Sequence, residues 1–299
     1  MLRKPEISVC IPVLNGERFL AETLRSVLAQ TFEDFELVVV DNASTDRTPE
    51  ILREFSDPRL RVVRNESVLS LADNWNKAVV ESRAPLVKLV CGDDLLAPRC
   101  LELQREVLRA GQDLALVCAR RDLINGASEP IVRNRGLRGL LGRLATPQVV
   151  RKVVRHGGNP LGEPGGALFR REHFDAVGGF DPQWHFTMDL ALWIRLLEHG
   201  AFFGMRESLA AFRIRTDSLT AARAGQAEYA EQRSFTERLS AEFEWHLSRR
   251  DRLVSAANAP GARLRREALF LLVAMHAQRL GSETDQRREG VKTPPGPGR

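Results

Sequence analysis

Residues 7–48 read "ISVCIPVLNGERFLAETLRSVLAQTFEDFELVVVDNASTDRT". Two apolar runs, 7–13 and 35–40, are rich in Ile and Val, and each gives way to turn-forming residues: Asn15-Gly16 after the first, Asp41 to Ser44 after the second. Short apolar runs bounded by turn signals are the pattern of buried strands. Between them, 17–30 places Leu20, Leu24, Val27 and Leu28 on one helical face. Strand, amphipathic helix and strand in this order imply a parallel strand pair with a crossover helix. The alternation continues downstream. Thr48-Pro49 starts a helix with Ile51, Leu52 and Phe55 inward, Pro being favoured at a first helical position. Strands follow at 60–64, 86–90 and 114–119, with helices at 72–82 and 98–110, the last stopped by Gly111. The pattern predicts an α/β fold with a mostly parallel central sheet and helices on both faces. In such sheets ligands bind beyond the carboxyl ends of the strands, so chemistry is sought there.

Three such strand ends, and the start of one helix, carry polar residues. Pro12, Asn15 and Gly16 form the turn before a helix N-terminus, which suits an anion but serves equally as a plain turn. Asp41 follows three valines; its carboxylate can accept hydrogen bonds from a base or ribose, or simply cap the turn. The strand at 86–90 runs into Cys91-Gly92-Asp93-Asp94. Adjacent carboxylates repel, so a pair at a core-strand end needs either solvent or a cation. Mg²⁺ and Mn²⁺ typically take one or two carboxylates plus substrate phosphates, which fits a metal–diphosphate site. Asp189 lies in the first turn of a helix at 187–199 whose buried stripe is Leu190, Trp193, Ile194 and Leu197. The helix dipole favours an acid there; the functional alternative is a general base facing the cleft.

The 299 residues suffice for one large α/β domain or two modest ones. Net charge is +5 and the pI about 9.4, suited to an anionic ligand or surface without selecting one. The four cysteines, Cys10, Cys91, Cys100 and Cys118, show no CxxC spacing, which predicts reduced thiols rather than a zinc site or disulfide framework. No apolar run long enough for a signal peptide precedes Pro12, and the apolar core of 264–280 is shorter than a membrane span. These features predict a cytoplasmic protein.

From Pro130 to Gly162 there is no Asp or Glu, but Arg133, Arg135, Arg138, Arg143, Arg151, Lys152 and Arg155 are present. The segment reads as a solvated basic face, with an anion-facing lid or lipid-touching patch as the alternative. Thr146-Pro147 starts a short helix with four valines inward, 165–170 reads as a strand, and 201–203 and 209–214 read as two short strands. Long helices are expected at 221–249 and 262–280, and a disordered tail at 281–299.

Together with "NWNKAV" at 74–79, "CGDD" at 91–94 and "GGFDPQWHFTMDLALWIRLLEHG" at 178–200, the opening stretch resembles family 2 glycosyltransferases of the GT-A fold. The resemblance spans about residues 5–220. It implies a GT-A domain at 1–220, with a nucleotide-sugar-binding half at 5–125 and an acceptor and catalytic-base half at 126–220, followed by a helical extension at 221–280. It implies an inverting transfer from a nucleoside-diphosphate sugar to a hydroxyl acceptor, a glycan, lipid-linked saccharide or polysaccharide precursor. Pro12, Asn15, Asp41 and Asn76 would contact the donor, and Asp93, with Asp94, would hold Mn²⁺ or Mg²⁺ on its diphosphate. Asp189 would be the catalytic base. Three positions depart from the family pattern: Cys91 replaces the first acid of the Asp-x-Asp motif, Met188 precedes Asp189 where an acid is usual, and Arg215 occupies the place of a common His. Arg215 could grip phosphate directly. The resemblance also makes contact with the inner face of a membrane and a homodimer plausible partners of the chain. Rival readings are an inactive or other nucleotide-sugar-binding protein, a nucleotidyltransferase, for which 12–18 offers only Arg18 as a phosphate grip, and a basic nucleic-acid-binding protein, for which 6% aromatic content gives little stacking surface.

Overall fold

The computed structural model describes residues 4–214, 226–241, 245, 247–258, 261, 264 and 268. The strands are β1 (Ile7–Val13), β2 (Phe35–Asp41), β3 (Leu60–Arg64), β4 (Leu86–Leu89), β5 (Leu95–Leu96), β6 (Leu114–Ile124), β7 (Pro130–Arg135), β8 (Gly142–Leu144), β9 (Ala167–Arg170) and β10 (Ala201–Arg213). They form one sheet in the order β3-β2-β1-β4-β9-β6-β10-β5, with β7 on β6 and β8 on β10. β1 to β4 are mutually parallel, as are β6 and β10, while β9 runs antiparallel to both β4 and β6. The sheet is therefore mixed, with the predicted parallel block at one side.

Every residue of β1 and β2 is buried, because helices cover both faces. Alternate side chains serve opposite layers. Ile7, Val9, Ile11 and Val13 pack with Leu37 and Val39 against α1 (Leu20–Leu28), α2 (Thr48–Arg53) and α4 (Cys100–Ala110). Cys10, Val38 and Val40 belong to the other layer, with α3 (Leu71–Val80), α5 (Thr146–His156), α6 (Arg171–Val177) and α7 (Met188–Leu196). A further helix, α8, is Gln226–Ala241.

Pro12 pairs with Val40 inside the ladder rather than ending it. Its missing N–H costs nothing, because Cys10 O is the last acceptor used by β4, through Val90 N, and β4 has left the ladder by Pro12.

Several expectations change. The runs 201–203 and 209–214 are one strand, β10, irregular around Met205 to Ser208; the charges of Arg206 and Glu207 conceal its continuity. The strand expected at 114–119 extends to Ile124. Arg121 is tolerated because Glu163 pairs with it, and Asp122 because Ser208 Oγ (2.6 Å) and Asn134 N (2.9 Å) donate to it. The basic segment contains β7 and β8, and acids outside it balance part of its charge: Asp122 with Arg133, Asp113 with Arg143, and Asp251 with Arg151 and Arg155. The helix expected over 221–249 ends at Ala241; residues 245, 247 and 248 are not α-helical, and 249–258 form a further helical run. Most of 262–280, and all of 281–299, lie outside the described residues. Among the described residues, no helix is long and apolar enough to cross a membrane.

Candidate active site

Register aligns the carboxyl ends of the first three strands: Val13 lies opposite Asp41, and Asp41 opposite Arg64. Asp41 is buried; it accepts from Ser44 N at 2.9 Å and ion-pairs with Arg64, whose side chain is half exposed. Arg64 also donates to Ser44 O at 2.8 Å. Behind this pair, Asn42 Oδ1 accepts from Asn65 Nδ2 and Leu69 N, both at 2.8 Å, and fixes the ends of β2 and β3 together. The loops after β1 and β2 are stitched by side chains. Asn15 takes a left-handed backbone (φ 52°) and accepts from Thr45 N at 2.9 Å, while its own N–H donates to Ser44 Oγ. Gly16 N donates to Thr48 Oγ1 at 2.7 Å. Asn15 thus shapes the rim through its amide oxygen.

The next strand end is the Cys91 to Asp94 turn. A Cβ at Gly92 would approach Val13 Cγ2 to 3.1 Å, so the turn sits directly against the end of β1. Asp94 is buried, and its Oδ1 accepts from Arg213 N at 3.0 Å. The Arg213 side chain, at 0% exposure, does most to fix the turn. Its Nε donates to Asp93 O (2.8 Å), Nη1 to Asn125 O (3.0 Å) and Ser128 Oγ (2.9 Å), and Nη2 to Glu22 Oε2 (2.8 Å). Its guanidinium carbon lies 4.3 Å from the Phe19 ring centroid. Sequence reading missed Arg213; the available signal was a lone cation ending the apolar run of β10.

Asp189 opens α7. Asn159 Nδ2 donates to its Oδ2 at 3.0 Å, and Leu190 N to its Oδ1 at 2.7 Å. Asn159 is itself fixed, its Oδ1 accepting from Leu161 N (3.1 Å) and Gly162 N (2.9 Å), while Gly162 O accepts from Trp193 Nε1 at 3.2 Å. The adjoining Glu163 is held by the buried Arg121. Asn159 was also missed, since "GGNPLGEPGG" reads only as a turn-rich loop.

The acids of the β4 turn and of α7 act electrostatically on shared neighbours. Burial pushes the Asp189 carboxyl up to about 7, with Glu163 adding to the rise. Burial and then Asp93 raise Asp94 well above the carboxylate range. Burial raises the Cys91 thiol, and Asp94, Asp93, Asp189 and Glu163 all push it further. One half-buried thiol thus feels the acids of the β4 turn and of α7 together. Two further residues were expected at the donor. Asn76 is engaged with the Phe180 backbone, donating to its carbonyl at 2.9 Å and accepting its N–H at 2.7 Å. Arg215 lies outside the described residues. The chain at Trp184 and His185 meets α8: His185 N donates to Glu231, and the Trp184 ring lies 5.2 Å from that of Phe235.

Among the described residues no three His, Cys, Asp or Glu side chains are grouped to chelate a metal. A cation here would take at most Asp93 and Asp94 from the protein and complete its shell with diphosphate oxygens and water, the usual mode for Mg²⁺ and Mn²⁺. The crowding that raises Asp94 is what such a cation would relieve, so the donor set fits.

Residues 8–178 match the family described as Glycosyl transferase family 2. The chain belongs to that family. This family 2 glycosyltransferase is 35% identical over 203 residues to the uncharacterized protein MT1568 of Mycobacterium tuberculosis (strain CDC 1551 / Oshkosh), covering 66% of this chain and 64% of the relative. It is 26% identical over 144 residues to the UDP-Glc:alpha-D-GlcNAc-diphosphoundecaprenol beta-1,3-glucosyltransferase WfgD of Escherichia coli, covering 48% of this chain and 52% of WfgD. The chain therefore spans less than two thirds of either relative. Its fold resembles that of the mannosyltransferase PcManGT from Pyrobaculum calidifontis in complex with GDP-Man and Mn²⁺, with TM-score 0.59 and 21% identity over 93% of this chain and 81% of that one. S. aureus TarS 1-349 in complex with UDP-GlcNAc is similar too, with TM-score 0.61 and 18% identity over 85% and 71%. The fold is thus α/β with GT-A-like neighbours. The family match ends before α7 and so does not reach Asp189.

Proposed function

We propose that this glycosyltransferase moves a sugar from a nucleoside-diphosphate donor to a hydroxyl acceptor with inversion at the anomeric carbon. The observation that carries the reading is that one loop, 159–165, reaches both acids: Asn159 donates to Asp189, and a Cβ at Gly165 would lie 3.8 Å from Asp94 Oδ2. The donor's nucleoside would lie along the ends of β1 to β3, where Asp41 and Arg64 offer an acceptor and donors side by side. A divalent cation held by Asp93, with Asp94, would neutralise the negative charge that gathers on the leaving diphosphate.

The protein's own steps follow from position. The acceptor hydroxyl attacks the anomeric carbon from the face opposite the diphosphate, a carbon–oxygen bond forms, and the old bond's electron pair leaves with the diphosphate. Asp189 takes the hydroxyl proton. A carboxyl whose midpoint is about 7 is ionised in part at neutral pH, yet basic enough to accept that proton as the bond forms. Asn159 holds the carboxylate by one oxygen. A lipid-linked or polysaccharide acceptor is the class in keeping with WfgD, named for a diphosphoundecaprenol acceptor.

The test begins with a thermal-shift panel of UDP-, GDP- and dTDP-sugars with Mn²⁺ or Mg²⁺, in which the true donor raises Tm with the logarithm of its concentration. Asp189→Asn then keeps donor affinity and loses turnover by about 10²- to 10⁴-fold. Near-normal turnover removes Asp189 from the role.

A further inference from the structure

The chain just ahead of α7 carries an arrangement that the sheet-edge site does not use. The backbone N–H groups of His185 (2.9 Å), Phe186 (2.8 Å) and Thr187 (2.9 Å), and the Thr187 hydroxyl (2.9 Å), all donate to one atom, Oε1 of Glu231. Glu231 belongs to α8, 44 residues beyond Thr187. Successive N–H groups turned toward one point form an anion-binding concavity. These lie at the N-terminus of α7, where the helix dipole adds to the attraction. Thr187, at the N-cap, makes no capping bond of its own to the helix. The capping anion comes instead from a distant helix, and Asp189 is two residues along.

Neighbouring contacts direct α8 to the same loop. Trp184 meets Phe235 edge to face at 5.2 Å, and Arg238 Nη1 donates to Gln183 Oε1 at 3.2 Å. Between α7 and α8 lies a cavity of about 250 Å³, lined in part by Ala191, Ile194 and Leu239. Phe235 and Leu239 of α8 are buried in the same core as α7, and the polar contacts at the loop add to that packing. The loop itself starts at Gly178 and Gly179, both with left-handed backbones (φ 75° and 79°), and contains no regular element before α7.

We infer that Glu231 is a positioning residue for Asp189. It fixes the backbone of the turn that delivers the carboxylate, while Asn159 fixes the carboxylate itself. The inference rests on the reading of Asp189 as the base and deepens it: the C-terminal helix is part of the catalytic apparatus rather than an appendage. Misplacement of a reacting group by about 1 Å can cost about 10²-fold in rate, so a clamp on this backbone has kinetic consequences even though Glu231 itself touches no substrate.

The experiment compares Glu231→Ala, Glu231→Gln and Asp189→Asn in the full chain. The donor is the one selected by the nucleotide-sugar panel, and release of nucleoside diphosphate with water as acceptor is the readout, so no acceptor need be known. Glu231→Ala lowers turnover about 10- to 100-fold with donor Kd within about twofold of the parent, and speeds amide exchange at 185–187. Glu231→Gln, which keeps an acceptor oxygen, recovers a large part of the turnover. Unchanged turnover in Glu231→Ala overturns the inference, as does a loss shared equally between turnover and donor binding that Gln does not rescue. If Asp189→Asn turns over normally, the base reading fails and the positioning role falls with it. If Asp189→Asn is dead while Glu231→Ala is normal, the clamp alone fails.

Discussion

In the role proposed for it, Asp189 would serve catalysis at the expense of the fold. Because its folded midpoint, about 7, lies above the ordinary 3.8, the folded state favours the protonated form. Its unfavourable effect on stability is thus absent at pH below about 3.8 and grows as pH rises toward 7. Asp189→Asn accordingly melts higher than the parent at pH 8, and the difference shrinks to nothing near pH 4; paired melting curves check this. As a base it works only when ionised, so turnover falls about tenfold per pH unit below 7, a limb measurable with the donor alone. Cys91 supplies a second test. Cys91→Asp restores a first motif acid but adds a carboxylate beside Asp93, Asp94, Asp189 and Glu163. Without metal that variant melts lower than the parent; with Mn²⁺ it binds tighter by calorimetry. Asp41, Asp93, Asp94 and Asp189 were legible because acids at the ends of apolar strands and helices stand out. Asn159, Arg213 and Glu231 were not, since each acts through partners more than 25 residues away that no local pattern announces.

At the scale of elements, β10 carries the cation that holds the β4 turn. Arg213→Met leaves Asp93 O, Asn125 O and Ser128 Oγ without this partner, and Glu22 loses its cation. Since Glu22 is 40% exposed, the loss is set below the full value of a buried pair, at about 3 kcal/mol; chemical denaturation measures it. Helix α5 ends at Gly157 in the left-handed region, φ 69°. Gly157→Ala costs about 1 kcal/mol, read in the same assay, without touching the site. The parallel block β1 to β4 was legible element by element because β1 and β2 are buried on both faces and read as apolar runs, and because β3 and β4 keep β-branched and leucine residues between turn signals. The strands β7 and β8 were hidden because they pair at the periphery of β6 and β10 with Arg-rich sequences, and their partners are invisible to a local reading.

Across the whole molecule, the basic segment 130–162 is partly balanced by acids from elsewhere in the chain: Asp113, Asp122 and Asp251. A net charge of +5 spread in this way is a poor phosphate track. A gel-shift titration with duplex DNA at about 150 mM salt, where unpaired basic tracks still bind nonspecifically, shows no complex. The sheet order has another consequence. β9 lies between β4 and β6 and pairs with both, yet it is about 80 residues later in the chain than the end of β4. As the nascent polypeptide leaves the ribosome at about 5–20 residues per second, one side of β4 therefore waits several seconds for its neighbour. A protein released short of residue 167 would keep two adhesive edges at the centre of its sheet, so a fragment ending at residue 125 cannot be excised as a well-behaved unit.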